Sequence, residues 1–235
     1  MKILLLGSQH GNELLGDRLY EYIQTYHDDL LDNLQFIIGN PKAHANNVRY
    51  VESDMNRSYN NKSTYESKRA RRIMSFIKKH NFDLVLDLHT TVCVQPPCFI
   101  IESVNTTNRD FIAASSINRI VTMRHDIVRT SLIGTTKQAI SIEVSNNDID
   151  NALLESLCKD LTRYIKKQPY KIDRYEYVVE ALIEKATVSD QEASSFRNFE
   201  MSPGNFIPIL VGENSYKKNT PYLGFKASKE TLIRL

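Results

Sequence analysis

Lys2-Ile3-Leu4-Leu5-Leu6-Gly7-Ser8-Gln9-His10-Gly11-Asn12-Glu13 is the stretch whose reading decides the fold. Ile3 to Leu6 is apolar without alternation, the pattern of a strand buried on both faces. It breaks at Gly7 into a polar turn. From Asn12 to Asp29 the apolar residues Leu14, Leu15, Leu19, Tyr22, Ile23 and Tyr26 then recur at helical spacing. A doubly buried strand feeding an amphipathic helix is the first half of a βαβ unit.

The same alternation continues outward. Leu34 to Ile38 reads as a second strand, stopped by Gly39-Asn40-Pro41, and a polar loop follows to about Asn61. The spacing of Ile73, Phe76 and Ile77 predicts a basic amphipathic helix over Thr64 to His80. Asp83 to Leu88 and Phe99 to Ile101 read as strands, Asn108 to Asn118 as a helix, Ala139 to Val144 as a strand and Asp148 to Lys167 as a helix. This order predicts an α/β class with a largely parallel sheet flanked by helices. The pattern changes at Gln168-Pro169. Strands are expected over Tyr175 to Ile183 and Phe206 to Val211, then a Lys- and Asn-rich loop and a short terminal strand. The expected organisation is a catalytic domain over 1–168 and a small β-rich C-terminal domain over 169–235.

Composition narrows the function. The 235 residues carry a net charge of +2, so no global field demands a nucleic acid or a membrane surface. No apolar run reaches the roughly 18 residues of a membrane span, and the Ile3–Leu6 run is too short for a signal-peptide core. Cys93, Cys98 and Cys158 form no even framework and read as reduced, buried thiols of a cytoplasmic protein. The basic run Lys68-Arg69-Ala70-Arg71-Arg72 with Lys78-Lys79 reads as a solvated helix face, with contact to phosphate as the rival.

Chemistry collects where three strands end, the place where open α/β sheets form their sites. The first strand ends in His10-Gly11-Asn12-Glu13, the third in Asp87-Leu88-His89-Thr90-Thr91, and a later one in Ile142-Glu143-Val144. A His-x-x-Glu turn can aim an imidazole and a carboxylate at one ion. Zinc accepts that pair, and His89 would supply the third ligand of a catalytic site with an open position. Asp87, two residues before His89, points to the same side of its strand and could orient a ligand.

With Asn40-Pro41-Lys42-Ala43 and Arg49-Tyr50-Val51-Glu52-Ser53-Asp54-Met55-Asn56-Arg57, these segments make five ordered motifs. In them the chain resembles the succinylglutamate desuccinylase/aspartoacylase family, zinc amidohydrolases related to zinc carboxypeptidases. The resemblance covers roughly residues 1 to 150 strongly, and the C-terminus weakly through Pro203-Gly204 and Gly212-Glu213-Asn214-Ser215-Tyr216. It implies a zinc carboxypeptidase-like fold and one Zn2+ per chain, held by His10, Glu13 and His89. It also implies Glu143 as general base, Arg49 as oxyanion stabiliser, Asn56 and Arg57 as a clamp on the substrate α-carboxylate, and Tyr216 as a residue reaching in from the C-terminal region. The expected reaction is hydrolysis of an N-acyl amino acid to a carboxylate and a free amino acid. A metallocarboxypeptidase or amidase acting on short peptides is the alternative, and a nucleic-acid-binding module using the basic helix over 68–79 is a remote one. The expected partner is a small-molecule N-acyl amino acid, without nucleic acid or membrane, with self-association left open.

Two departures from the family stand out. Members are longer, which implies trimmed loops here. Aspartoacylases also carry an arginine about ten residues before the catalytic glutamate, where this chain has Ile133. The nearest cations, Arg129 and Lys137, do not match by position. Lys137 lies an even six residues before Glu143, but Gly134-Thr135-Thr136 breaks the strand phase.

Overall fold

A computed structural model describes residues 1–59 and 63–235, the side chains of residues 215, 218 and 219 excepted. The expected end of the polar loop near Asn61 falls outside the described residues. β1 (Ile3–Gly7), β2 (Leu34–Ile38), β3 (Leu84–Thr91) and β6 (Ala139–Ser145) form the parallel half of one sheet. β4 (Cys98–Ile101) runs antiparallel to β6. It is followed by β5 (Arg119–Thr122), parallel to both β4 and β7 (Arg174–Glu184). β8 (Ile207–Ile209) and β9 (Tyr222–Ile233) complete the order β2-β1-β3-β6-β4-β5-β7-β9-β8. The chain is thus α/β with a mixed, largely parallel sheet and a β-rich C-terminal region that extends the same sheet.

Helices cover both faces. Leu15, Leu19 and Ile23 of α1 (Leu15–Tyr26) pack with Ile3 and Leu5 of β1, together with α4 (Arg109–Ala114) and α6 (Asn151–Ile165). Leu4 and Leu6 face the other side, where Ala70, Ile73 and Ile77 of α3 (Tyr65–His80) meet residues of β7, β8 and β9. Both faces of β1 are therefore dry, which is why Ile3–Leu6 shows no alternation. Each such residue contributes about 1.5–3 kcal/mol by burial. The connections hold the short helices α2 (Pro41–Ala45), α5 (His125–Val128), α7 (Asp190–Ser195) and α8 (Asn214–Asn219). Among the described residues no helix is long and apolar enough to cross a membrane.

Four elements differ from the sequence reading. The helix expected over Asn108 to Asn118 stops at Ala114, and β5 follows it. Ser115 and Ser116 bond Asp160, and Ile117 N–H donates to Ser115 Oγ, so side chains compete for the backbone groups a longer helix would need. β3 runs on to Thr91 and places His89 inside the strand. The loop expected after Val211 contains α8. The terminal strand spans twelve residues rather than a few. Within it, Ser228 to Thr231 are exposed Ser, Lys, Glu and Thr, which interrupts the apolar pattern, and this stretch is held by its ladder to β7.

Candidate metal centre and cleft

The turn after β1 is built for close approach. Ser8 adopts a left-handed backbone (φ 50°), with its hydroxyl donating to Asp17 Oδ2 at 2.6 Å. Gly11 lies against α2, where a Cβ would sit 2.1–2.4 Å from backbone atoms of Ala43 and His44. No other side chain fits there. Glu13 N–H donates to His10 O at 3.0 Å and closes the turn.

Glu13 then stands between two imidazoles. His10 Nδ1 is 2.7 Å from its Oε1 and His89 Nδ1 is 2.8 Å from its Oε2. The far nitrogens face other carboxylates: His10 Nε2 lies 3.0 Å from Asp54 Oδ1 and His89 Nε2 lies 2.9 Å from Asp87 Oδ2. The second contact is too bent for an aligned hydrogen bond and is a charge contact. Asp87 is itself fixed by hydrogen bonds from Gln9 Nε2 and Ser141 Oγ, and Tyr59 donates to Gln9 Oε1 at 2.6 Å. One nitrogen of each histidine toward the centre and the other toward a carboxylate is the disposition of metal-ligating histidines. The three donor atoms lie within 4.8 Å of one another, and two imidazoles with one carboxylate suit zinc. The residues present therefore fit the metal.

Electrostatics follow from burial and neighbours. Burial opposes charge on His89, but Asp87 and Glu13 raise its pKa well above the usual histidine value. His10 is raised in the same way, with burial opposed by Glu13 and Asp54. Burial also opposes charge on Glu13, yet the two histidines hold its carboxyl far below the usual range.

Glu143 pairs with His89 across the parallel β3–β6 ladder, so both side chains leave the same face. Burial, reinforced by the charges of Glu13 and Glu213, pushes its carboxyl up to about 8. On the opposite wall, Arg49 Nη1 reaches Glu13 Oε1 at 3.2 Å and Nη2 reaches Asp54 Oδ2 at 3.2 Å. Asp54 caps the 3-10 turn Met55–Arg57 that presents Asn56 and Arg57. Tyr216 enters from α8, edge-on to Phe225 at 5.7 Å, and burial raises its hydroxyl well above the ordinary tyrosine value.

His10, Glu13, Arg49, Asn56, Arg57, His89, Glu143 and Tyr216 all line a single cleft of about 660 Å3, its open mouth included. Ile100, Met123, Ile127, Val128, Ile133, Leu210 and Phe225 give it an apolar wall, and Thr90, Thr91, Ser131, Ser141 and Glu213 complete the lining. Ile133 is thus in the cleft, whereas Lys137 lines a separate surface depression with Glu102 and Asn105. The strand phase that would have brought Lys137 alongside Glu143 fails because β6 begins only at Ala139. Sequence reasoning missed Glu213, which accepts from Thr91 Oγ1 at 2.8 Å at the cleft edge. It also gave Asp54 no role. Asp54 was visible within its motif, but nothing in the sequence marks Glu213 beyond its nearness to Tyr216.

Residues 1–145 match the model of the succinylglutamate desuccinylase/aspartoacylase catalytic domain. The chain belongs to this family. A "Probable aspartoacylase" of Nostoc sp. is 35% identical over 104 residues, a stretch that covers 38% of this chain and only 35% of that relative. An N-acyl-aromatic-L-amino acid amidohydrolase (carboxylate-forming) of Xenopus laevis is 20% identical, with 92% of this chain and 82% of that one covered. The succinylglutamate desuccinylase structure from Chromobacterium violaceum superposes with a TM-score of 0.72 at 17% identity, covering 100% of this chain and 85% of that one. At that identity the likeness shows a shared fold. The family's five motifs lie on β1, the β2–α2 junction, the loop before α3, β3 and β6, and all but Asn40-Pro41-Lys42-Ala43 contribute side chains to the cleft.

Proposed function

We propose that the chain is a zinc-dependent amidohydrolase that cleaves an N-acyl amino acid into a carboxylate and a free amino acid. The observation that carries the reading is one cleft holding the His10–Glu13–His89 donor set, the carboxyl of Glu143 and two arginines. One zinc held by His10, Glu13 and His89 would supply Lewis-acid polarisation and lower the pKa of water toward about 7.

The chain's own groups supply the rest. Glu143, whose side chain leaves the sheet on the same face as His89, takes the proton of the attacking water and passes it to the leaving nitrogen. Arg49 faces the acyl oxygen as charge develops on it. Arg57 and Asn56 hold the α-carboxylate, where a guanidinium fork binds bidentately. Tyr216 closes the side of the cleft formed by the C-terminal region. The apolar wall around Ile133 supports neutral or apolar substrates over N-acetylaspartate, and the three buried, unpaired cysteines support a cytoplasmic setting.

A screen of N-acyl amino acids and short peptides on zinc-loaded protein tests this. Turnover of N-acyl amino acids is expected. Turnover of peptides alone would move the chain to the metallopeptidase reading, and no turnover of either would reject both.

A further inference from the structure

Glu66 is fully buried on the first turn of α3 and touches nothing in the cleft. An acidic residue in a first helical turn ordinarily serves the helix dipole from solvent. Glu66 instead gathers donors from another segment. Its Oε1 accepts from Val51 N–H at 2.8 Å and from Asn40 Nδ2 at 3.2 Å, and its Oε2 accepts from Ser53 N–H at 3.1 Å. Glu52 N–H is shared between the two oxygens at 3.3 Å each. The docking is reciprocal, since Glu52 Oε2 accepts from Tyr65 N–H at 2.7 Å.

Residues 51–53 are the bridge between Arg49 and the Asp54-capped turn that carries Asn56 and Arg57. We propose that Glu66 is a positioning residue: its buried carboxylate holds the 51–53 backbone in the one arrangement that presents Asn56 and Arg57 to the substrate carboxylate. This rests on the function proposed above. Three consecutive amides pointing inward have no other charged acceptor among the described residues, so loss of the carboxylate leaves the bridge held to α3 and its cap only by the side-chain contacts of Glu52 with Tyr65 N–H and of Ser53 with Thr64. The metal ligands lie in the turn after β1 and in β3; His10 and Glu13 also face Asp54 and Arg49, but the contacts of Glu13 with both histidines and of His89 with Asp87 do not involve residues 51–53.

The test compares wild type with Glu66→Gln, which halves the acceptor capacity at constant size. Amide hydrogen exchange at Val51, Glu52 and Ser53 is expected to speed up while that of Leu86 and Leu88 in β3 stays as it was. Zinc content is expected to remain one per chain. For the best N-acyl amino acid in the screen, KM is expected to rise about tenfold with kcat within about threefold. A merely structural role would lower the folded fraction and leave KM alone. If Glu66→Gln does not fold, Glu66→Asp, which keeps the charge and shortens the reach, takes its place. Protected 51–53 amides in the folded variant, or an unchanged KM, would overturn the proposal. Wild type inert toward every N-acyl amino acid would instead reject the function and the substrate half with it, while the exchange arm still decides whether Glu66 holds the bridge.

Discussion

Glu143 and Arg57 both reach the cleft but are expected to fail differently when removed. Glu143→Gln removes proton transfer and leaves the His10–Glu13–His89 donors in place, so zinc content should hold while kcat falls by ~10²–10⁴-fold. Arg57→Ala should act mainly through KM, because an α-carboxylate is present in ground and transition states alike. Wild-type turnover by Glu143→Gln in a steady-state assay would remove the general-base role. His89→Ala should lose most of its zinc by metal analysis. Ile133 makes a prediction of its own. It is 6% exposed in an apolar wall, where a substrate side-chain carboxylate would find no cation. Wild type should therefore show no preference for N-acetylaspartate over an apolar N-acetyl amino acid. Ile133→Arg should shift kcat/KM toward N-acetylaspartate by about 10- to 150-fold, the value of roughly 1.5–3 kcal/mol for a hydrogen bond to a charged group. A hundredfold preference already present in wild type would contradict this.

At the scale of elements, the site depends on how tightly its turn and loop seat against their neighbours. Gly11 is the tightest point. A methyl group there must push α2 away from β1, and α2 is where Asn40 caps the helix and also donates to Glu66. Gly11→Ala should cost about 1–3 kcal/mol or more by overpacking. Because the strain falls on the turn that carries His10 and Glu13, zinc affinity should drop together with the urea midpoint. A variant with unchanged midpoint and zinc affinity would show that the turn can relax. Elsewhere general capping rules hold where a side chain bonds nearby backbone: Thr64 caps α3, and Asp150 caps α6 two residues after the Asp148 start expected from the sequence. The helical reading fails at Ser115, whose side chain turns to Asp160 and ends a helix early.

At the scale of the molecule, buried charge governs the response to pH. In the zinc-free protein Glu143 keeps its proton up to about 8, whereas the unfolded chain loses it near 4.5. Between these values the native state binds the extra proton, so stability falls as pH rises. His10 and His89, both raised above 6.5, add to the same trend from that value upward. Asp54 and Glu66, both lowered, act in the opposite sense and cost stability only as acid protonates them. The urea midpoint of chelator-treated protein should therefore be lower at pH 9 than at pH 6. Zinc needs neutral imidazoles, so the stabilisation it adds should grow across the same interval. A zinc effect that shrinks with rising pH would contradict histidine ligation. On organisation, we propose that 1–168 carries catalysis while 169–235 lends Tyr216 and Glu213 to the cleft. Because β7 hydrogen-bonds β5 directly, removal of 169–235 should expose Val121 and Met123 and cost folding as well as activity.

The α/β class, the helix faces and the three strand ends were legible because each rests on local spacing: apolar runs for doubly buried strands, a 3.6-residue period for α1, α3 and α6, and motif residues a few positions apart. Glu143 on the face of His89 was not local. It needed the β3–β6 register, which is set by pairing between residues more than fifty positions apart. The same holds for the apolar wall that gathers Ile100, Met123, Ile133, Leu210 and Phe225 from five separate segments, and for Glu213 at the cleft edge. Nothing in the sequence marks Glu66, and only packing shows it buried against the amides of 51–53. Sequence alone determined which groups could do the chemistry, since residue type sets what can bind a metal or carry a proton. Only the tertiary structure decided which of them meet and with what charge, because burial and partners are properties of contacts that chain order does not encode.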